Sequence, residues 1–390
     1  MRPQDATDVI LINPGAARAA YQSLSSTLTA CEPPIWTGLI ATYVRRQGRR
    51  VLIIDANAEG LAPDDVAGRV AQTPPVLAVV VAYGHNPSAS TQVMPAAGAI
   101  CRAIKARLPS TPVLLAGGHV AALPERTLQE EAADYVCAGE GPVTVAQLAD
   151  ALLSGAKNIG SVQGLLYRDG PDIRRTAPAP LVQDLDGQMP EMAWDLLPMD
   201  RYRAHNWHCF GHLDKRQPYA SLYTSLGCPF NCHFCCIRAP FKDGEKALGL
   251  RPETNTYRMW SPQSVLAQLE KLVREYGVYN VKFADELFLF NKKHVNAICD
   301  GIIARGLRLN IWAYARVDVA SDVETYKKLK SAGVNWLCLG IEAGSERVRK
   351  DVGKKFSQDK VMDAVANIRA AGIYIIGNFL FGLPDDDLET

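Results

Sequence analysis

Long apolar runs are missing from this 390-residue chain. The longest, near VLAVVVA at 76–82, falls far short of the roughly 20 residues that cross a bilayer as a helix. No membrane partner is expected. An excess of one charge is missing too: 42 Lys and Arg stand against 41 Asp and Glu, a net +1. Such a chain has no long-range field to draw it onto nucleic acid or anionic lipid, so no nucleic-acid partner is expected. The N-terminus, MRPQDATDVILINPG, lacks the apolar core of a secretory signal, and a cytoplasmic location follows as the expectation. There is no long-period repeat, and no second cysteine cluster. What is present is ordinary globular composition, 48% hydrophobic and 21% charged, enough for two or three domains at about 150 residues each.

From residue 8 to about 150, short apolar runs alternate with helical spacers. VILINPG, RVLIIDANAEG, VLAVVVAYGH, PVLLAGGH and YVCAGEG each end in small or polar residues. Continuous apolar runs of this length read as parallel strands buried on both faces. The pattern predicts a doubly wound α/β sheet, with ligands collecting beyond the strand carboxyl ends. The first strand is not followed by G-x-G-x-x-G; NPGAARAA offers no such phosphate cradle. Between about 156 and 217 proline, glycine and charge recur without period, which reads as a linker with a small hairpin; its Trp194, Leu196 and Leu197 should pack. A second βα array begins at Tyr219, with strands in YASLYTSLG, YNVKFADELF, LNIWAYARVD, VNWLCLGIEAG and IYIIGNFLFGLP. Ser261-Pro262 should open one of its helices and Gly277 close it, and Ser321 with Glu324 should cap another. A parallel sheet ending at Thr390 would leave an open edge, so the chain is expected to be part of a longer protein.

Cysteine is concentrated in one place. SLGCPFNCHFCC, residues 225–236, spaces Cys228, Cys232 and Cys235 as C-x3-C-x2-C and adds Cys236. Disulfides are disfavoured in a reducing compartment. Structural zinc takes four ligands, commonly from two separated pairs, and remains the rival; three thiolates from one loop suit a cubane cluster with one iron left open. Cys101, Cys137, Cys299 and Cys338 lie among apolar neighbours and read as buried hydrophobes. Cys236 should be packed as well.

The triad follows the first strand of a partial barrel, at the end where barrel sites form. In spacing, residue type and context it resembles the radical S-adenosylmethionine superfamily. That resemblance implies a 4Fe–4S cluster on Cys228, Cys232 and Cys235, with S-adenosylmethionine on the open iron and cleavage to a 5′-deoxyadenosyl radical. It implies that Phe234, Asp285, Glu286, Arg316, Glu342 and Gly377 contact S-adenosylmethionine or shape its pocket. For Asp285 and Arg316 the plainer reading is a surface or capping ion pair; for Glu342 on an apolar strand, an idle buried charge would be costly.

The N-terminal array in turn resembles the cobalamin-binding domains fused to radical enzymes. Asp55, Asn57 and Gly60 match D-x-H-x-x-G except that asparagine replaces the cobalt-ligating histidine. Gly117 and Gly118 in AGGH, with Gly139, Glu140 and Gly141 in AGEG, complete the implied cobalamin site. His85 and His119 read as residues of the ligand rim rather than cobalt ligands. The expectation is therefore α/β throughout: a flavodoxin-like (Rossmann-type) cobalamin-binding domain at 1–155, a linker at 156–217, and a partial (β/α)6 radical barrel at 218–390, truncated at its C-terminus. The resemblance implies methylation of an unactivated carbon of a small-molecule substrate, with electrons from a flavodoxin- or ferredoxin-type reductant. Cyclisation or rearrangement without methyl transfer is the alternative, and a non-catalytic corrinoid or cluster sensor or electron carrier the reading of another class. Methylthiolation is disfavoured, because Cys31, Cys101 and Cys137 are too scattered to form a second triad.

Overall fold

The structure, a computed structural model, describes residues 6–84, 89–156, 158–210, 215–319 and 322–387. The chain forms two compact units: Met1–Tyr202 with Cys236–Thr256, and Arg203–Cys235 with Tyr257–Thr390.

In the first unit the five apolar runs are strands β1 (Val9–Asn13), β2 (Val51–Asp55), β3 (Leu77–Val81), β4 (Val113–Ala116) and β5 (Tyr135–Cys137). They pair in parallel in the order β2-β1-β3-β4-β5. This is the flavodoxin-like order, whose direction switches between β1 and β3. Every residue of β1 and β3 is buried, as expected of strands covered on both faces. Ile10, Ile12, Ile54, Val80, Ile100, Ile104 and Leu115 anchor the core, and Cys101 and Cys137 are buried as free thiols.

Residues 158–202 fold within this unit. Strands β6 (Leu165–Asp169) and β7 (Asp172–Arg175) form an antiparallel hairpin that extends the sheet beyond β5. The open backbone edge of β5 is thereby paired. Further on, Met189, Met192 and Trp194 are buried. Met192 lies against Gly38 of the helix Ile35–Arg46, where an added Cβ would sit 2.9 Å from the Met192 Cε. The expected hairpin is present and Trp194 packs as expected, both within the first unit.

Cys236–Thr256, expected within the barrel, also belongs to the first unit. It carries the helix Ala239–Ala247. The Phe241 ring lies 6.2 Å from Trp36, which stacks on Tyr83 at 4.8 Å. Gly244 meets Leu181 so closely that a Cβ would come within 2.4 Å of its Cδ2. Asp243 pairs with Arg175 at 2.7 Å.

The second unit holds β8 (Tyr219–Leu222), the short antiparallel pair β9 (Ser225–Leu226) and β10 (Arg258–Met259), then β11 (Asn280–Phe283), β12 (Asn310–Arg316), β13 (Val334–Glu342) and β14 (Tyr374–Phe379). Its five parallel strands run β14-β13-β12-β11-β8, in chain order across the sheet. That is the expected partial barrel, with β14 at the edge and its Tyr374 and Phe379 exposed. The helix Pro262–Tyr276 starts and stops where its local signals say. The Ser261 side chain accepts from Ser264 N at 3.2 Å, and Gly277 closes it at φ +62°. The helix Val323–Ser331 is capped by Asp322, which accepts from Thr325 N at 2.9 Å; Ser321 lies outside the described residues, as does His85.

Candidate functional site

The three-cysteine loop leaves the carboxyl end of β8 and is gripped from neighbouring strand ends. After β11, Asp285 is fully buried. Its Oδ1 accepts from the Thr224 and Ser225 hydroxyls and its Oδ2 from Thr224 N at 3.0 Å. Burial raises the Asp285 pKa, and the bonds from Ser225 and Thr224 oppose that rise. Asp285 is therefore neither a surface ion pair nor a helix cap; it fixes the segment that feeds the cysteines. Its neighbour Glu286 accepts from Gly227 N at 3.2 Å, where the chain turns through φ +91°. Burial pushes the Glu286 carboxyl up to about 8, so a large share of it carries a proton at neutral pH. From the far side, Gly353 packs on the loop at φ +84°, where a Cβ would lie 3.1 Å from the Asn231 carbonyl oxygen, and His233 N donates to Val352 O at 3.1 Å.

Arg316 closes the grip. It is the last residue of β12 and is 6% exposed. Its Nη1 donates to Cys232 Sγ at 3.1 Å, while Nε and Nη2 each reach Asp318 at 2.8 Å. Cys228, Cys232 and Cys235 are half-buried thiols, and Cys236 is exposed rather than packed. Burial raises the Cys228 thiol pKa, against the pull of the Phe230 backbone and the Arg316 charge.

Among the described residues, no three His, Cys, Asp or Glu side chains converge as a single metal ion requires. Three soft, unbridged donors on one braced loop, with a guanidinium against one of them, fit the cluster.

The remaining residues of the expected nucleoside pocket are placed as follows. Glu342 ends β13 in the left-handed region at φ +73°, unusual for a non-glycine residue. It pairs with buried Lys354, whose Nζ also donates to Gly340 O at 3.0 Å. The ion pair accounts for the burial of Glu342, and the strained backbone marks the position. Gly377 lies beside Phe379 and Ile341, and Phe234 is 39% exposed. Asp285, Glu286 and Arg316 meet the cysteine segment directly, whereas Phe234 and Gly377 lie on exposed stretches. Asp318, Lys354 and the Thr224-Ser225 pair were missed, because nothing local to their sequence announces contacts across strand ends.

In the first unit, a cleft opens at the switch point between β1 and β3, lined by Asn13, Pro14, Ala17, Asn57, Tyr83 and Gly84 among others. Asp55, fully buried, accepts from Asn13 Nδ2 and the Tyr202 hydroxyl at 2.7 Å each, and from Asn57 N and Ala58 N at 3.1 Å each. Burial raises its pKa and those donors offset it. Asn57 turns its Oδ1 to Ala17 N at 3.2 Å. Gly60 ends the turn at φ +68°. Gly117 is obligatory: at φ +153° a Cβ would lie 2.3 Å from the Ala82 carbonyl oxygen. Gly118 is buried beside it. The strand-end loops are braced together: Tyr83 donates to Glu140 O at 3.2 Å, Glu140 Oε2 accepts from Val182 N at 3.1 Å, and His119 N donates to Ser90 Oγ at 2.9 Å. Gly139 and Gly141 flank Glu140; Gly141 takes φ +117° against Ile40. His119 is half-buried with Nδ1 3.1 Å from Thr91 Oγ1, and burial lowers its pKa. The shallow cleft at the switch point, rimmed by small residues and Tyr83, lies at the strand carboxyl ends where doubly wound sheets take their ligands.

Comparison with known proteins identifies both domains. The Radical SAM superfamily profile matches residues 222–390, and the B12 binding domain profile matches residues 22–149. An "uncharacterized methyltransferase" of Pyrococcus horikoshii is 30% identical over 382 residues, covering 98% of this chain and 75% of that protein. The anaerobic magnesium-protoporphyrin IX monomethyl ester cyclase of Cereibacter sphaeroides is 26% identical over 377 residues, 95% of this chain and 57% of that protein. Among solved structures, the cobalamin-dependent S-adenosylmethionine radical enzyme OxsB with aqua-cobalamin superposes with a TM-score of 0.74 at 18% identity, over 97% of this chain and 50% of its own. The chain thus spans about half to three quarters of the proteins it matches. It belongs to the radical S-adenosylmethionine superfamily, in the cobalamin-dependent branch whose cofactors are a 4Fe–4S cluster, S-adenosylmethionine and cobalamin.

Proposed function

We propose that this protein contributes the two cofactor-binding parts of a methylase acting on an unactivated carbon of a small-molecule substrate in the cytoplasm, with a flavodoxin- or ferredoxin-type protein as reductant. The observation that carries the reading is the braced triad Cys228, Cys232 and Cys235 at the end of β8, in a chain that also has a cobalamin-type cleft at its first switch point. When bound, the cluster and S-adenosylmethionine supply hydrogen abstraction by a carbon radical, and cobalamin supplies the methyl group. The chain's own residues hold and exclude. Cys228, Cys232 and Cys235 take the cluster. Asp285 and Glu286 fix the loop's entry through Thr224, Ser225 and Gly227, and a protonated Glu286 adds no negative charge beside the three thiolates. Phe234, Arg316, Glu342 and Gly377 frame the nucleoside. Asp55, Asn57, Gly60, Gly117, Gly118, Gly139, Glu140 and Gly141 shape the rim for cobalamin, with no histidine offered from position 57 to the cobalt.

A second reading, cyclisation or rearrangement without methyl transfer, is favoured by likeness to the magnesium-protoporphyrin cyclase. Anaerobic purification with iron, sulfide and corrinoid quantified, followed by mass spectrometry of a turnover mixture, tests both. The methylase reading requires 5′-deoxyadenosine and a product one methyl heavier. Deoxyadenosine with no added methyl transfers the case to the cyclase reading. No deoxyadenosine under strong reductant sinks both and leaves a sensor or carrier.

A further inference from the structure

Arg316 is held more tightly than contact with a passing nucleoside requires. Asp318, one turn beyond it in the chain at Val317–Val319, takes Nε and Nη2 as a two-pronged pair at 2.8 Å each. The guanidinium plane lies 3.8 Å from the centre of the Phe230 ring, and Phe230 is itself inside the C-x3-C loop. With the fork on one side and the ring on one face, the remaining nitrogen, Nη1, is aimed at Cys232 Sγ at 3.1 Å. Such a bidentate pair fixes direction as well as charge, which a lysine could not reproduce.

An N–H donated to a ligating sulfur stabilises the more negative, reduced cluster more than the oxidised one, and so raises its reduction potential. We propose that Arg316, locked by Asp318 and Phe230, tunes the potential of the cluster through its bond to the Cys232 sulfur. The step it controls is one-electron: a low-potential iron–sulfur or flavin reductant loses an electron, the cluster gains it, and no bond or proton changes hands. Arg316 is here a positioning residue. The inference rests on Cys232 being a cluster ligand.

The test uses the whole chain, reconstituted anaerobically, with iron and sulfide counted and the reduced fraction followed by EPR against applied potential, without S-adenosylmethionine. In Arg316→Met, the reduced-to-oxidised ratio at the wild-type midpoint should fall about tenfold, equivalent to about 59 mV for one electron. Arg316→Lys keeps the charge without the fork and should fall part of the way. A wild-type midpoint in either variant, at full cluster content, overturns the proposal. If Arg316→Met assembles no cluster, the lysine variant decides alone. Wild-type protein that takes up no iron overturns the cluster reading itself, an outcome the iron count separates from a failed tuning role.

Discussion

At the scale of single residues, the motif-bearing positions turn out to be clamps. Asp55 was legible as part of a D-x-x-x-x-G pattern, but its role was not. Its partners Asn13 and Tyr202 stand 42 and 147 positions away, and no local signal in the sequence joins them. Four donors converge on one carboxylate that water does not reach. Replacing it leaves those donors in a dry interior, which is costlier than losing the bonds alone. Asp55→Ala should therefore destabilise the first unit by about 3 kcal/mol, seen as a lower urea midpoint. Asn57→Ala loses only the bond from Ala17 N, about 1 kcal/mol. Because the Asn57 oxygen is turned to the backbone, the visible spectrum of bound corrinoid should be unchanged in that variant; a spectral shift would make Asn57 a cobalt ligand after all.

At the scale of elements, legibility follows the range of the forces involved. The strands were readable because burial on both faces demands unbroken apolar runs. The helix Pro262–Tyr276 was readable because Ser261 and Gly277 act within one turn of its ends. The helix Ala239–Ala247 lies within the Radical SAM profile's span yet packs in the first unit through contacts distant in sequence: Gly244 with Leu181, Asp243 with Arg175, Phe241 with Trp36. Gly244 shows how tight that seat is. A side chain there would meet Leu181 carbons at 2.4 and 2.6 Å and its backbone nitrogen at 3.1 Å. Gly244→Leu should unseat the helix from Leu181, because a branched side chain exceeds the space that movement of the Leu181 side chain could free and would still press on its backbone nitrogen. Hydrogen exchange should then rise across 239–247 and stay unchanged across 262–276. Equal protection across 239–247 in wild type and Gly244→Leu would mean that the helix is seated by something other than this contact.

At the scale of the whole chain, sequence order and packing order part company. The polypeptide leaves the first unit after Tyr202 and re-enters it from Cys236 to Thr256, immediately past the third cysteine of the triad. A boundary drawn from composition at 155/156 or 217/218 cannot see this return, because both sides of it look like ordinary βα sequence. The consequence is that residues 1–202 alone should not be a complete folding unit. Without Phe241 the Trp36 side of the unit loses an aromatic neighbour, and burying one such ring contributes about 1.5–3 kcal/mol. Set against the usual melting slope for a domain of this size, the loss corresponds to roughly 5–10 °C. A fragment of residues 1–202 should melt lower by that amount than the same fragment carrying 236–256 on a flexible Gly/Ser tether, and should bind more of an apolar dye. If the two melt together, the segment after the cysteines rests on the first unit without supporting it, and the division at Tyr202 is the one that folding respects.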